Sequence, residues 1–415
     1  MKHSQKSLRS LIWPLLALLI ALTACRAQVA SGPTATPFLL TRTQPAAATP
    51  AAEKSAGQVA LTPSPTELPS PTPTHVPLHR EVKHIAAPSL AGNLLGDPDK
   101  QYIEVYLPPS YDSSDLRYPV VYFLPGFGSG TDGNNDPFRM PEIARRMETG
   151  ELPEIILVSP NGANLVGGSF YVNSPVTGNW EDFIVKDVVG YVDDHYRTIK
   201  SAGGRGISGH SMGGFAAINL AMRHPDIFST VYCISGALLG DKGIADFHVL
   251  NPEKRVQNFL KIIADIQAMD VPDALKAMGR LDGPNAIAMA YGTAFAPDPE
   301  LGPPYFDYPY TLKDGALEKV PDAWARWQAG MGDWDQKIEQ YHANLSKLRG
   351  VLIEYGTQDY LTWIQRGSEY VYKTLTKAGI KSQLNALDAG HGDQLENRIV
   401  EEMLPFFGEK LDPAK

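Results

Sequence analysis

From about residue 80 onward, short runs of apolar residues alternate with longer stretches in which apolar residues recur every three or four positions. The short runs predict buried strands, and the longer periodic stretches predict helices that cover a sheet. The predicted strands lie over 102–107, 119–124, 155–159, 206–210, 230–234, 351–355 and 383–387. The predicted helices include 181–196, 213–223, 363–378 and 394–406. This alternation predicts an α/β fold with a mostly parallel central sheet and helices on both faces.

Residues from about 240 to 345 interrupt the alternation. The segment combines several polar helical stretches with a proline- and aromatic-rich piece over 296–306. Strands of the predicted sheet lie on both sides of it in the chain. We therefore interpret it as an insertion over the carboxyl ends of the strands, inside one domain over 78–415, rather than as a separate domain.

The N-terminal residues follow a different pattern. Three basic residues precede an apolar run over 11–22, which as a helix would span only about 18 Å, less than a bilayer requires. A basic start, a short apolar run and small residues after it are typical of a secretory signal peptide. Residues 22–25 read Leu-Thr-Ala-Cys and resemble the lipobox of bacterial lipoproteins. We predict a signal peptide over 1–24 and a lipid on Cys25; an ordinary signal peptide with a chance cysteine is the alternative.

A proline-rich stretch follows, with ten prolines over 26–77 and mostly Thr, Ala and Ser between them. Such a segment cannot bury enough apolar surface to offset its chain entropy, and its prolines favour extended conformers. We expect residues 25–77 to be a tether that holds the following domain away from a membrane. The predicted location is therefore export, with lipid anchoring to the outer side of a bacterial membrane.

Charge and cysteine usage exclude other classes of protein. The 415 residues include 37 Lys and Arg against 46 Asp and Glu, a formal charge of −9, whereas a nucleic-acid-binding surface would be basic. No nucleic-acid partner is expected. Apart from Cys25 there is one cysteine, Cys233, in an apolar run, and we expect it to be a buried small side chain.

The first chemical signal is Gly209-His210-Ser211-Met212-Gly213, a G-x-S-x-G motif between a predicted strand and a predicted helix. That context is the one a nucleophile elbow requires. The turn is so tight that the positions two residues before and two residues after the exposed serine have space only for glycine. Ser211 is therefore the predicted nucleophile.

A serine hydroxyl needs a base, and the base needs a carboxylate to orient it. In this fold the order is serine, acid, histidine, so the base is sought among His224, His248, His342 and His391. His391 follows the last predicted strand in a glycine-flanked loop, where the base belongs. Asp359, which follows the predicted strand over 351–355, is the predicted acid, and the nearby carboxylates Asp388 and Asp393 are alternatives.

The predicted oxyanion hole consists of two backbone N–H groups. One is expected from Met212, directly after the nucleophile, and the other from Phe127, in the loop Leu124-Pro125-Gly126-Phe127-Gly128 after the predicted strand over 119–124. A plain glycine-rich turn is the alternative interpretation of that loop.

Residues from about 80 to 410 resemble the bacterial putative-esterase family of α/β-hydrolases, which includes esterase D, feruloyl esterases and mycolyltransferases. The resemblance rests on residues 118–126, the blocks over 168–174 and 179–182, the serine motif and Gly390-His391. Many members have His-Gly where this chain has Pro125-Gly126. The resemblance implies ester hydrolysis, or acyl transfer to a sugar, by a Ser-Asp-His triad without a metal or a cofactor.

Aromatic residues near the predicted site suggest a substrate surface. Trp180, Tyr171 and Tyr305 are the predicted substrate-binding residues, for stacking on a sugar ring or lining an acyl pocket; packing between insertion and sheet is the alternative for each. The predicted partner is a small-molecule or polysaccharide ester. Two alternatives to a hydrolase stay open, an acyltransferase with the same residues and a surface-displayed binding module without chemistry.

Overall fold

The computed structural model describes residues 77–129 and 138–415. The predicted signal peptide, Cys25 and all but the last residue of the predicted tether lie outside the described residues.

Twelve strands lie in this part of the chain. In chain order they are β1 His79–Ala86, β2 Lys100–Leu107, β3 Val120–Leu124, β4 Ile156–Pro160, β5 Asn173–Ser174, β6 Gly178–Asn179, β7 Arg205–His210, β8 Thr230–Ile234, β9 Tyr310–Lys313, β10 Ala316–Lys319, β11 Gly350–Gly356 and β12 Gln383–Leu387. Eight of them form one sheet in the order β1-β2-β4-β3-β7-β8-β11-β12. The pairs β1/β2 and β2/β4 are antiparallel and all other pairs of this sheet are parallel, which confirms the predicted mostly parallel sheet.

The helices lie between and after these strands. They are α1 Pro141–Glu148, α2 Trp180–Asp182, α3 Val189–His195, α4 Met212–Arg223, α5 Glu253–Gln267, α6 Val271–Met278, α7 Gly283–Phe295, α8 Pro321–Met331, α9 Trp334–Gln340, α10 His342–Leu345, α11 Thr362–Lys377, α12 Leu395–Arg398 and α13 Leu404–Lys410. Two π-helical segments, Phe183–Val188 and Ile399–Met403, join α2 to α3 and α12 to α13. The helices predicted over 181–196 and 394–406 are therefore continuous helical segments with a π-helical centre.

The sheet separates two apolar cores, because successive side chains of a strand point to opposite faces. Along β3, Val120, Tyr122 and Leu124 belong to the larger core, whereas Val121 and Phe123 belong to the smaller one. The larger core also contains α4, and the smaller one is covered by α1 and α13. Every residue of β3 is buried, so the apolar run predicted over 119–124 reflects burial on both faces.

The segment between β8 and β11 contains α5 to α10 and the β9/β10 hairpin. Its aromatic side chains belong to the larger core. Phe295, at the end of α7, packs 5.8 Å from Phe215 of α4 and 5.2 Å from Phe170, measured between ring centroids. The insertion therefore shares a core with the helix that follows the serine motif.

Cys233 is completely buried, as predicted, and burial raises the pKa of its thiol to about 12. Among residues 77–129 and 138–415, the helices are all too short or too polar to span a membrane.

Candidate active site

Ser211 stands at the turn between β7 and α4. Its φ of 57° lies in the left-handed region that L-residues rarely adopt. The glycines on either side are required by close backbone approach: a Cβ on Gly213 would lie 1.8 Å from the carbonyl oxygen of Leu124, and one on Gly209 would lie 2.4 Å from that of Gly213. The turn itself is fixed by a hydrogen bond of 3.0 Å from Ser211 N to Ile234 O. The strained turn thus has the geometry of a nucleophile elbow.

The structure brings the three residues predicted as a triad into one hydrogen-bonded line. His391 Nε2 lies 2.9 Å from Ser211 Oγ, and His391 Nδ1 lies 2.7 Å from Asp359 Oδ2. The other carboxylate oxygen of Asp359 accepts a hydrogen bond of 2.7 Å from Leu361 N. The Asp359 side chain is fully buried and that of His391 is 14% exposed. A serine, an imidazole and a shielded carboxylate in this order can perform nucleophilic acyl transfer.

The alternative acids bond elsewhere. Asp393 Oδ2 accepts from Gly390 N at 3.1 Å, which closes the loop around His391, and Asp388 Oδ1 accepts from Gln358 Nε2 at 3.2 Å. Asp359 is the carboxylate that contacts the His391 ring.

The two predicted oxyanion donors come from loops that touch. A Cβ on Gly126 would lie 3.5 Å from the Cβ of Ser211, and one on Gly168 would meet both the Phe127 ring at 2.6 Å and Met212 Sδ at 2.7 Å. Neither Phe127 N nor Met212 N donates a hydrogen bond to another described residue. Met212 is buried and Phe127 is half-buried, and two unpaired N–H groups beside a nucleophile are suited to bind a developing oxyanion.

Tyr171 fixes the loop that carries Phe127. Its hydroxyl donates a hydrogen bond of 3.0 Å to the carbonyl oxygen of Pro125. Gly128 N donates to Gly167 O at 2.9 Å, which ties the same loop a second time. Tyr171 is fully buried, and burial raises the pKa of its hydroxyl well above the usual value, so it remains a hydrogen-bond donor.

His210, inside the serine motif, supports the His391 loop. Its Nε2 lies 2.8 Å from the carbonyl oxygen of His391, so this nitrogen carries the proton and donates it. Burial, and next the neighbouring His391, lower the pKa of His210 to about 4. His210 is therefore a neutral donor that holds the backbone of His391.

A buried ion pair lies behind the same loop. Arg398 Nε bonds to Glu354, Nη2 donates to Ser235 Oγ at 2.8 Å, and Nη1 donates to the carbonyl oxygen of His391 at 3.4 Å. The Arg398 side chain is 2% exposed and that of Glu354 is fully buried. Burial raises the pKa of Glu354, opposed by the Arg398 charge and by a hydrogen bond from Tyr232. His391 O thus accepts from two donors, the half-buried His210 and the buried Arg398.

Tyr360 lies on the open side of the site. It directly follows Asp359 in the chain, its ring centroid is 5.9 Å from that of His391, and it is 77% exposed. Its ring therefore offers an aromatic surface to a molecule that approaches His391.

The placement of the three residues predicted to bind substrate corrects that prediction. Trp180 is fully buried and donates from Nε1 to Thr177 O at 2.8 Å, and Tyr171 is fully buried under the Pro125 loop. Tyr305 is 8% exposed and belongs to the larger core. Their aromatic faces are covered by protein, so in this conformation they pack the core, the alternative considered from the sequence.

Sequence reasoning missed His210, Arg398, Glu354 and Tyr360. Glu354 lies inside the apolar strand predicted over 351–355. This position indicated a buried partner of opposite charge, because a charged side chain is not buried without one. The position of Arg398 carried no comparable signal, since an arginine in a helix is usually solvated.

Comparisons with known proteins extend these observations. A family described as "Putative esterase" matches residues 98–359 of this chain. Esterase Rv1288 of Mycobacterium tuberculosis is 32% identical over 139 residues, which make up 32% of this chain and 28% of the relative. The S-formylglutathione hydrolase of Arabidopsis thaliana is 30% identical over 143 residues, 31% of this chain and 48% of the relative. The chain therefore spans less than half the length of either curated relative.

A solved ferulic acid esterase has a similar fold. Its TM-score is 0.52 at 18% identity, over 80% of this chain and 98% of that one. A likeness at this identity concerns the fold alone, and it confirms the predicted α/β-hydrolase fold.

Proposed function

We propose that this chain, which belongs to the putative-esterase family, is a serine carboxylic ester hydrolase in which Ser211, His391 and Asp359 carry out the reaction. The observation that supports this proposal best is the line of two hydrogen bonds from Ser211 Oγ through the His391 ring to Asp359. The serine is aimed by the elbow, and the imidazole is oriented by a carboxylate that solvent does not reach.

Acylation follows from this geometry. His391 Nε2 accepts the proton of Ser211 as Oγ attacks the ester carbonyl carbon, and Asp359 stabilises the imidazolium. The N–H groups of Met212 and Phe127 stabilise the negative charge that develops on the carbonyl oxygen. His391 then donates its proton to the leaving oxygen, the carbon–oxygen bond breaks, and the alcohol departs from an acyl-Ser211.

Deacylation repeats these steps with water. His391 accepts a proton from water, the water oxygen attacks the acyl carbon, and Ser211 Oγ leaves with the proton from His391. An alcohol in place of water would give acyl transfer, so the products in the presence of a sugar distinguish hydrolase from transferase.

For the substrate we propose esters in which an aromatic acid or an acetyl group is bound to a carbohydrate. The exposed ring of Tyr360 beside His391 supports this choice, because a solvated aromatic face stacks on sugar rings and on aromatic acyl groups.

We also propose that Cys25 carries a lipid and that residues 25–77 tether the enzyme outside a bacterial membrane. The support is the Leu-Thr-Ala-Cys ending after the short apolar run and the ten prolines that follow. An enzyme in that place would meet polysaccharide and cell-envelope esters.

The proposed triad is tested with Ser211→Ala and Asp359→Asn. We expect Ser211→Ala to lower kcat for any ester by about 10⁴ or more, to abolish covalent labelling by a fluorophosphonate and to leave thermal unfolding unchanged. Asp359→Asn should retain labelling at a much reduced rate, because the serine remains but its base is misoriented. Parent activity in folded Ser211→Ala would refute the assignment, and parent activity in Asp359→Asn would transfer the acid role to another carboxylate.

A further inference from the structure

A cavity of about 270 Å³ lies beside the helix that follows the nucleophile. One wall is α4, through Phe215, Asn219 and Arg223 at the four-residue spacing of one helix face. The opposite wall belongs to the insertion, through the ends of α7 and α8 and through Lys337 of α9. Ser211, Asp359 and His391 do not line it, so the cavity is separate from the catalytic line.

Asn219 brings a side-chain amide without a partner among the described residues to the wall of this cavity. Asn219 is 9% exposed, lines the cavity, and its side chain makes no hydrogen bond with the rest of the described chain. Buried side-chain amides usually have partners. The side-chain nitrogen and oxygen of Asn219 are therefore available for hydrogen bonds with a molecule bound in the cavity.

Lys337 and Arg223 each have an N–H group that makes no hydrogen bond with another described residue. Lys337 Nζ donates to Gly330 O at 2.6 Å and to Gly332 O at 2.7 Å, which leaves one of its three hydrogens. Arg223 donates from Nε to Glu181 at 3.0 Å and from Nη1 to Tyr341 Oη at 2.9 Å, and its Nη2 has no acceptor among the described residues.

Glu181 is the one carboxylate on the wall. Its Oε1 accepts both from Arg223 and from His224 Nε2, the latter at 2.7 Å. Burial opposes its ionisation, but the hydrogen bonds from His224 and Arg223 hold the pKa of Glu181 below its usual value. Glu181 balances the charge of Arg223, and a ligand with a single negative charge would add to the charge of Asp333 in favouring a protonated Lys337. Burial lowers the pKa of Lys337 to about 7, and an anion beside the amine would favour its protonated form.

Apart from Asn173, whose side-chain oxygen accepts a hydrogen bond of 3.1 Å from Asp182 N, the rest of the lining is apolar or glycine. Phe215 and Phe295 are neighbouring rings, 5.8 Å apart, and Ala294 and Ala329 complete that side. We propose that this cavity is a second binding site, which takes a small carboxylate with an aromatic or branched apolar body. The carboxylate would bind Asn219, Arg223 and Lys337, and the apolar body would face the two phenylalanines. This site does not depend on the proposed triad.

Binding is tested by calorimetric titration of the full chain with benzoate, and with benzamide as a neutral probe of the same shape. The titration is repeated after Ser211 has been blocked with a sulfonyl fluoride. We expect benzoate to bind the free and the blocked enzyme equally, and benzamide to bind at least about tenfold more weakly, the loss expected for a charged hydrogen bond. Loss of benzoate binding on blocking would assign it to the active site and overturn the proposal, as would equal binding of benzamide or no binding of benzoate.

Variants then locate the site. Asn219→Leu and Lys337→Met should each weaken benzoate binding by about tenfold or more, while Lys254→Met, on the exposed face of α5, should not change it. Ala329→Trp should block the cavity from its exposed rim and so prevent benzoate binding. This variant tests the location of the site if thermal melting shows that Lys337→Met is not folded. Unchanged benzoate affinity in Asn219→Leu and Ala329→Trp would refute the assignment.

Discussion

Tyr360 is the residue whose side chain is best placed to select among esters. It is 77% exposed, and its ring is steeply inclined, at 73°, to that of His391. An aromatic contact of this kind contributes roughly 1 kcal/mol, which corresponds to about fivefold in kcat/KM. We expect Tyr360→Ala to lower kcat/KM for aromatic and sugar esters by about fivefold more than for a short alkyl ester. Tyr360→Phe should behave like the parent enzyme.

Steady-state kinetics on the three ester classes check this expectation. Leu312 is 45% exposed on the β9/β10 hairpin, and Leu312→Ala serves as the matched surface control. An equal loss for all three classes in Tyr360→Ala would mean that the ring only orients His391.

At the same scale, the three residues predicted from the sequence as a triad are the ones that the fold brings together. Ser211 and His391 were identified by glycine flanks and chain order, and Asp359 by its place after a strand; all three lie in one hydrogen-bonded line. Tyr171 and Trp180 were assigned to a substrate surface because an aromatic residue near a motif looks the same whether its face is open or covered. Only packing in three dimensions distinguishes the two cases.

At the scale of elements, the loop of His391 depends on its attachment to β11 and α12. The attachment is the buried pair of Glu354, on β11, and Arg398, on α12, together with the donor from Arg398 to His391 O. Removing one member leaves a buried uncompensated charge, so Arg398→Met should lower the free energy of unfolding by about 3–5 kcal/mol. Arg349→Met, which breaks the exposed pair with Asp412, should lower it by less than about 1 kcal/mol.

Combining Glu354→Gln with Arg398→Met separates stability from catalysis. The double variant should regain most of the lost stability, because no lone buried charge remains. Its kcat for an alkyl ester should still be about tenfold below the parent value, since His391 O has lost one donor and the imidazole is positioned less well. Denaturant unfolding and kinetics on the same preparations test both parts. Parent kcat in the double variant would mean that Arg398 stabilises the fold without positioning His391.

Most of the strands that were predicted from the sequence are buried on both faces of the sheet, whereas the missed strand β1 is partly exposed. All seven predicted strands are present, within two residues at each end, because their apolar runs reflect a sheet covered on both faces. Strand β1 was missed because it lies at the sheet edge and mixes exposed and half-buried residues, without an apolar run. The π-helical segments in 183–188 and 399–403 carry no sequence pattern of their own.

At the scale of the whole molecule, two half-buried histidines make stability depend on pH. Burial lowers the pKa of His210 to about 4, and burial with the Arg255 charge lowers that of His248 to about 4, from an ordinary value of 6.5. Below pH 6.5 the unfolded chain takes up protons that the folded chain refuses until about pH 4. Stability should therefore be complete above pH 6.5 and fall as pH decreases, by up to about 1.4 kcal/mol per pH unit for each histidine.

Denaturant unfolding between pH 7 and pH 4.5 measures this slope. His248 stacks on Trp363 at 5.9 Å, so His248→Phe retains an aromatic contact and removes the titrating group. The slope in that variant should be shallower by up to one histidine's contribution. A slope that is unchanged in His248→Phe would show that this ring titrates alike in the folded and the unfolded chain.

The proposed anchor and the catalyst are chemically independent parts of the chain. The stretch over 26–77 contains only five charged residues, Arg26, Arg42, Glu53, Lys54 and Glu67. The proposed triad is formed by residues 211, 359 and 391. Cys25→Ser should therefore abolish fractionation with membranes and leave kcat and KM for a small soluble ester unchanged. Deleting the proposed tether while keeping Cys25 should impair turnover of large immobilised substrates only, because a proline-rich stretch of this length is expected to provide reach. If the Cys25→Ser variant still fractionates with membranes, the proposed lipid anchor is contradicted. If a chain that starts at residue 78 folds but does not hydrolyse small esters, the proposed tether does more than position the enzyme.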